Sequence, residues 1–94
     1  MSLNAPQGVA VDSSGNVYIA DTGDNAIKEW NASTQTVKTL VSTGLDFPNG
    51  VAVDGAGNIF VADFYFNTIR KGSPQSRPRL EMVSSLDSSS VRLL

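Results

Sequence analysis

Aspartate and asparagine side chains recur in this sequence at a fixed spacing. Asp21 is followed four residues later by Asn25, and Asp63 is followed four residues later by Asn67. A carboxylate in such a position can serve as a base, as a nucleophile or as one member of an acidic rim around a site. Short polar side chains in turns also bond to nearby backbone N–H groups, which is a structural role. Both interpretations stay open, and the repetition favours the structural one.

An aromatic run, Phe-Tyr-Phe, stands at residues 64–66 in a stretch that otherwise has the composition of a loop. The equivalent stretch after Asp21, residues 22–24, consists of Thr, Gly and Asp. Three neighbouring aromatic side chains in a loop cannot all point inward, so they are available to stack a sugar, a base or a peptide. They are also suited to pack against a neighbouring subunit, because aromatic residues are enriched at interfaces.

The composition excludes several classes of chemistry. The 94-residue chain has no Cys and no His, which rules out disulfides, zinc fingers, cysteine nucleophiles, Ser-His-Asp triads and His-ligated metal sites. No apolar run approaches the roughly 18 residues of a membrane helix. Residues 1–6 lack the basic start and apolar centre of a signal peptide. These features predict no membrane partner and leave the cellular compartment unassigned.

Charge is divided unevenly along the chain. Residues 1–69 carry two basic and seven acidic side chains, a balance of −5, whereas residues 70–94 carry five basic and two acidic side chains, a balance of +3. The acidic body argues against a surface that follows nucleic-acid phosphates. The basic residues of the tail are scattered among Ser and Pro, which is typical of a solvated segment. The sequence therefore predicts no nucleic-acid partner.

An internal repeat with an offset of 42 residues organises the chain. Residues 5–30 and 47–72 share 12 identities in 26 positions. Each copy alternates short runs of β-branched and aromatic residues with turns rich in Gly, Asn and Asp, and Asp12 and Asp54 begin the first of these turns. The pattern predicts an all-β meander, with strands at 8–12, 17–20, 26–30, 36–41, 50–54, 59–62, 68–71 and 80–84.

An ordered motif appears once in each copy: Pro-x-Gly-Val-Ala-Val-Asp, then Gly-Asn-(Val/Ile)-(Tyr/Phe)-(Ile/Val)-Ala-Asp, then Asn-x-Ile-(Lys/Arg). This motif resembles the NHL repeat, over residues 3–71, and has a bacterial appearance. The resemblance implies a β-propeller of four-stranded antiparallel blades, with six blades in most members. Four strands per period of about 40 residues agree with one blade. We expect blades at 1–45 and 46–85, then a tail at 86–94 that is either foreign to the fold or a strand swapped to a neighbour.

Two blades cannot close a propeller on their own. Repeat proteins bury their apolar faces by stacking neighbours, and about three or more repeats are usually needed for stability. Exposed packing faces and open sheet edges invite association. We expect three chains to close a six-bladed ring as a homotrimer, with a domain-swapped dimer as the alternative. Trp30 is expected in the core between blades or over a sheet edge.

The strand order predicts which loops lie together. In an antiparallel meander, the turn between the second and third strands lies at the same end as the connection that enters the first strand. The NHL resemblance makes this end the ligand face. The residues expected on it are Asn49, Asp63, Phe64, Tyr65, Phe66, Gln7, Asp21 and Asp24.

Asn49 is also a candidate metal ligand. Its Phe-Pro-Asn-Gly sequence resembles a loop of the calcium-dependent hydrolase propellers, in which the Asn oxygen ligates calcium. Amide oxygens suit hard cations, and three symmetry-related Asn49 side chains would meet near the axis of a trimer. The structural interpretation is a turn that orders the innermost strand, where Gln7 stands in the first repeat. No other cofactor is expected.

Three functions follow from the resemblance. The first is a non-enzymatic NHL-type module that self-assembles and presents a ligand-binding face. The second is a calcium-dependent hydrolase-like propeller, of the lactonase or organophosphate esterase type, in which Asp21 or Asp63 acts as base or nucleophile. The third is an engineered or evolutionary fragment without a biological ligand, which the short chain and its uncharacteristic tail suggest. The absence of His and the single Pro-Asn-Gly loop per chain favour the first over the second.

Overall fold

The computed structural model describes residues 3–64, 68–76 and 80–85, with the backbone alone over 82–85. Thr22–Asp24 form a one-turn 3₁₀ helix, and no helix within the described residues has the length and hydrophobicity to cross a membrane. The first of two sheets contains β1 (Pro6–Val11), β2 (Val17–Asp21), β3 (Ala26–Asn31) and β4 (Thr36–Val41). The second sheet contains β5 (Pro48–Val53), β6 (Ile59–Asp63), β7 (Thr68–Gly72) and β8 (Glu81–Ser85).

Both sheets are four-stranded and antiparallel, with the strands in chain order. This order confirms the predicted all-β meander, and the observed strands agree with the predicted ones to within two residues at each end. The largest differences are at Pro6 and Pro48, where β1 and β5 each begin two residues early. The predicted tail at 86–94 lies outside the described residues.

Aspartate builds the turn between the first two strands of each sheet, as predicted. The Oδ1 atom of Asp12 accepts hydrogen bonds from the backbone N–H groups of Ser14 and Asn16, at 2.9 and 3.0 Å. Its Oδ2 atom accepts from Asn16 Nδ2 at 3.1 Å and from the Tyr18 hydroxyl at 3.0 Å. Asp54 makes the equivalent bonds to its own turn, except the one from tyrosine, because Phe stands at that position.

These turns make the stability of the fold depend on pH. Hydrogen bonds from Asn58 hold the pKa of Asp54 below its ordinary value. Burial raises the pKa of Asp12, but hydrogen bonds from Asn16 and Tyr18 outweigh it, so this pKa is lowered as well. A carboxylate with a lowered folded-state pKa stabilises the fold above about pH 4, and the contribution is lost as the pH falls through the folded-state value.

We therefore expect the free energy of unfolding of the wild type to fall below about pH 4. Asp54→Asn, which cannot titrate, should flatten this fall, because one of the carboxylates with a lowered pKa is gone. Urea unfolding at a series of pH values measures both profiles. Parallel profiles for the two proteins would contradict the role given to Asp54.

The two sheets pack face to face around one apolar core. Strand β5 packs against β1 and β2, so the second sheet lies over one face of the first. Side chains alternate between the faces of a strand, and the face that meets the second sheet presents Tyr18, Ala20 and Ile27. Ile59 and Val61 of β6 pack against this face and are fully buried. The cluster also includes Val41 and Leu45, with Leu40, Val51, Val53 and Leu80 packed around it.

Trp30 lies on the opposite face of the first sheet. It stands between Val17 of β2 and Val37 of β4 and is half-buried. Because Tyr18, the next residue on β2, faces the core, strand alternation turns Val17 and its cross-strand partner Trp30 away from it. Of the two places predicted for Trp30, the core between these two sheets is therefore excluded.

Candidate functional site

Four connecting segments meet at one end of the two sheets. They are residues 4–8, 21–25, 46–50 and 63–64. Hydrogen bonds join them in pairs: the Gly23 N–H donates to the Asn4 carbonyl at 2.8 Å, and the Phe64 N–H donates to the Phe47 carbonyl at 3.2 Å. The structure thus brings together the segments that strand order predicted at one end.

Asp21 and Asp63 end β2 and β6 and are almost fully buried. The Oδ1 atom of Asp21 accepts a hydrogen bond from the Asn4 backbone N–H at 2.7 Å, and Oδ1 of Asp63 accepts one from the Asp46 N–H at 3.0 Å. Each carboxylate holds the segment that enters its own sheet. The sequence predicted bonds across the turn that follows each aspartate, and the observed partners instead precede the sheet, because that segment crosses over the end of the second strand.

Lys28 is a site residue that the sequence prediction missed. It lies on β3 and is only 5% exposed, and its Nζ atom is 2.7 Å from Asp21 Oδ2 and 2.8 Å from Asp24 Oδ2. The hydrogen bonds to Asp21 and Asp24 raise the pKa of Lys28. The hydrogen bond from Lys28, and to a smaller extent the one from Asn4, lowers the pKa of Asp24. The available signal was the basic residue that both repeats place after Asn-x-Ile, at Lys28 and Arg70.

The second sheet has a looser version of this ion pair. Arg70 Nε lies 3.4 Å from Asp63 Oδ2, which is longer than a hydrogen-bonded ion pair. Burial raises the pKa of Asp63, outweighing the hydrogen bond from Asp46 and the charge of Arg70, which lower it. With a raised folded-state pKa, the contribution of Asp63 to stability is greatest below about pH 4 and is lost as the pH rises through the folded-state value. The contributions of Asp63 and Asp54 to the free energy of unfolding therefore change with pH in opposite directions.

Asn25 and Thr22 join the first sheet to the entrance of the second. Asn25 takes a φ of 50°, and its Oδ1 atom accepts a hydrogen bond from the Phe47 N–H at 2.8 Å. The buried Thr22 hydroxyl donates to the Pro48 carbonyl at 2.6 Å. The turn between β2 and β3 thus fixes where β5 begins.

Gln7 and Asn49 occupy equivalent irregular positions. The first strand of each sheet shifts its register at this residue, which is typical of a bulge. Gln7 is exposed and Asn49 is half-buried. Within residues 3–64, 68–76 and 80–85, no three acidic side chains are grouped as ligands of a metal ion. Calcium takes about six to eight oxygen ligands, and the assignment of Asn49 as one of them stays a prediction.

Phe64 and Phe47 form an aromatic surface beside these turns. Phe64 is 52% exposed, and its ring centroid lies 5.9 Å from that of Phe47 with the planes inclined at 53°. This geometry is within the range of favourable aromatic pairs. The pair joins the end of β6 to the segment that enters β5. The other two aromatic residues of the run, Tyr65 and Phe66, lie outside the described residues.

Comparison with known proteins agrees with the two-sheet architecture. The family model for the NHL repeat matches residues 3–30, and the model for a β-propeller repeat matches residues 33–62. Among curated proteins, no match is found. A solved structure of a luciferin-regenerating enzyme superposes with a TM-score of 0.70 and 26% sequence identity, over 86% of this chain. The chain spans 30% of the length of that enzyme. Residues 3–62 are therefore a run of β-propeller repeats, the first of them of the NHL type.

Proposed function

We propose that this chain is a non-enzymatic propeller module that self-assembles and presents a ligand-binding face. The face is the end of the sheets where the four connecting segments meet. The observation that carries the proposal is the exposed ring of Phe64, held beside Phe47 among these segments. Such a ring offers a flat apolar surface on which a sugar ring, a base or an aromatic peptide side chain can stack. The exposed Val9 and Val11 support the self-assembly.

The two aspartates that end β2 and β6 favour a non-enzymatic role. The oxygens of Asp21 face the Asn4 N–H and Lys28, and those of Asp63 face the Asp46 N–H and Arg70. A general base must reach the proton that it removes from a substrate. These carboxylates are buried, and their oxygens are directed at groups of the chain itself.

A propeller hydrolase is the second candidate. The similar solved structure supports an enzymatic role, because it is that of a luciferin-regenerating enzyme, and the resemblance of the Asn49 loop to calcium-dependent propellers supplies the hydrolase type. This candidate predicts turnover of a lactone or an aryl organophosphate that EDTA abolishes. The non-enzymatic module predicts no turnover of either compound, with or without calcium. A colorimetric assay of both substrates separates the two candidates.

Titration of the ¹⁵N-labelled chain tests the ligand face. Suitable probes are N-acetylglucosamine, adenosine monophosphate and a tryptophan-containing tripeptide. We expect at least one of them to shift the amide resonances of Phe47 and Phe64. Phe64→Ala should weaken this binding about tenfold, because a stacked ring contributes about 1–3 kcal/mol. Thr34→Ala, at the opposite end of the first sheet, should leave the binding unchanged.

Two results would contradict the proposed face. One is the absence of any resonance shift with all three probes at millimolar concentration, which would favour a fragment without a ligand. The other is a set of shifts centred away from Phe47 and Phe64 and insensitive to Phe64→Ala.

A further inference from the structure

The first sheet leaves one apolar face open. Val9 and Val11 of β1 are 64% and 60% exposed, and Val17 and Trp30, in the same cross-strand row as Val11, are half-buried. Contiguous apolar patches of this kind mark interaction surfaces on soluble proteins. We call this set the outer face of the first sheet; its apolar members are Val9, Val11, Val17, Ile19, Trp30 and Val37, of which Ile19 is buried opposite Lys28.

The equivalent face of the second sheet is covered within the chain. The residues 42 positions after the first four members are Val51, Val53, Ile59 and Val61. They belong to the core or pack against it, and Ile59 and Val61 are fully buried because the first sheet lies over them. The surface that covers them presents Tyr18, Ala20 and Ile27. The chain therefore contains an example of the surface that fits this face.

The second sheet carries an open copy of that covering surface. Its apolar members stand 42 positions after Tyr18, Ala20 and Ile27 and are Phe60, Ala62 and Ile69. These three residues lie on the face turned away from the first sheet, because Ile59 and Val61 alternate with them along β6. They are half-buried, whereas their equivalents in the first sheet are almost fully buried. We call them the outer face of the second sheet.

We propose that the outer face of the first sheet docks on the outer face of the second sheet of a second copy of this chain. The inference rests on the self-assembly proposed above and names its two surfaces. The contact repeats the one that the two sheets already make within the chain, with the same or similar residue types at seven equivalent positions and with Trp30 where the internal contact has Gly72. It is heterologous, because each copy contributes a different face. Three copies supply six sheets, the number of blades that the NHL resemblance implies, and close a ring.

A glycine supports the docking independently of the apolar residues. A Cβ on Gly8 would lie 3.0 Å from the Asn49 carbonyl oxygen and 3.1 Å from the Gly50 Cα atom, so a side chain there would force the backbones of β1 and β5 apart by a few tenths of an ångström. A Cβ on Gly50, the equivalent residue, would have ordinary contact at 3.5 Å with Ala62 among the described residues. Within the described chain nothing requires glycine at position 50. In the docked pair, Gly50 faces the backbone of Gln7 and Gly8 of the second copy.

Light scattering in line with size exclusion tests this docking on the complete chain. We expect the wild type to have three times the chain mass of 9.9 kDa. Val9→Lys places a charge within the outer face of the first sheet and should give a monomer with an unchanged circular dichroism spectrum. Gly50→Ala should weaken the association about tenfold. Two controls should keep the wild-type mass: Ser14→Lys in an exposed turn, and Gly55→Ala, where an added Cβ has no atom within 4 Å.

A wild type that is monomeric at every concentration, or dimeric, would overturn the proposal. A trimer that both Val9→Lys and Gly50→Ala leave intact would also overturn it. If the wild type is a monomer but still binds a probe through Phe64, the proposed self-assembly is wrong and the proposed ligand face is supported. If the wild type is a trimer that binds no probe, the proposed docking is supported and the proposed ligand face is wrong.

Discussion

Replacing Lys28 with methionine is expected to lower the free energy of unfolding by about 3 kcal/mol. The substitution keeps the length of the side chain but removes the positive charge between Asp21 and Asp24. Asp21 has no exposed surface, so its carboxylate would remain buried with the hydrogen bond from the Asn4 N–H and no counter-ion. The expected loss is at the low end for a broken buried ion pair, because the third member, Asp24, is exposed.

Urea unfolding at one fixed chain concentration measures this loss. Lys38→Met is a matched control, because Lys38 pairs with Glu29 at 3.6 Å but is 65% exposed. Its removal should cost less than about 1 kcal/mol. The double substitution Lys28→Met with Asp21→Asn should recover most of the loss, since neither member of this buried ion pair then remains charged. Equal effects of Lys28→Met and Lys38→Met would show that Lys28 is not buried against Asp21 in solution.

Ile59→Ala is expected to cost about 3 kcal/mol of the free energy of unfolding, and Ile59→Val about 1 kcal/mol. Ile59 has no exposed surface and belongs to the cluster that the two sheets share. Shortening it removes apolar contact and leaves a cavity between Ile27, Tyr18 and the other members of the cluster. The cost of such a cavity grows with the volume that the surrounding residues fail to fill.

Urea unfolding of the wild type and of both Ile59 variants gives this graded series. Because valine at this position is the smaller perturbation, it serves as the control for alanine. A loss for Ile59→Ala no larger than that for Ile59→Val would contradict the packing of the second sheet on the first. It would mean that the face around Ile59 is open to solvent.

The strands and turns were predictable because their causes are local in the sequence. Runs of β-branched and aromatic residues gave the strands, and β4 agrees with its predicted bounds at both ends. Asp12 was predicted to begin a turn, and its side chain holds the backbone N–H groups of that turn. The internal repeat also predicted the number of sheets, since a second copy of the same pattern builds a second sheet with the same strand order.

The features that sequence reasoning missed depend on contacts between distant strands. A lysine in a strand of mixed polarity is ordinarily expected to be solvent-exposed. Lys28 of β3 instead lies opposite Ile19 on β2, near the buried Asp21 that ends β2. Segment 4–8 reaches the same place, because the Asn4 N–H donates to Asp21. Trp30 was expected in the core between blades or over a sheet edge, and only the register of β3 shows that it faces away from the core of these two sheets.

The predicted ligand face was partly recoverable from strand order. The antiparallel order of the strands placed the connecting segments at one end of the sheets, and the structure joins them there by hydrogen bonds. The role of each side chain required distances that the sequence does not contain. Asp21 and Asp63 became buried ion-pair partners, whereas Phe64 remained exposed beside Phe47.

The native mass of the unmodified chain tests most directly whether its two sheets repeat their contact between copies. Native mass spectrometry over a range of chain concentrations should show an assembly of three times 9.9 kDa. No larger species should form, because a closed ring leaves neither outer face open. A chain that stays at 9.9 kDa would contradict the repeated contact. A ladder of ever larger species would contradict closure of the ring.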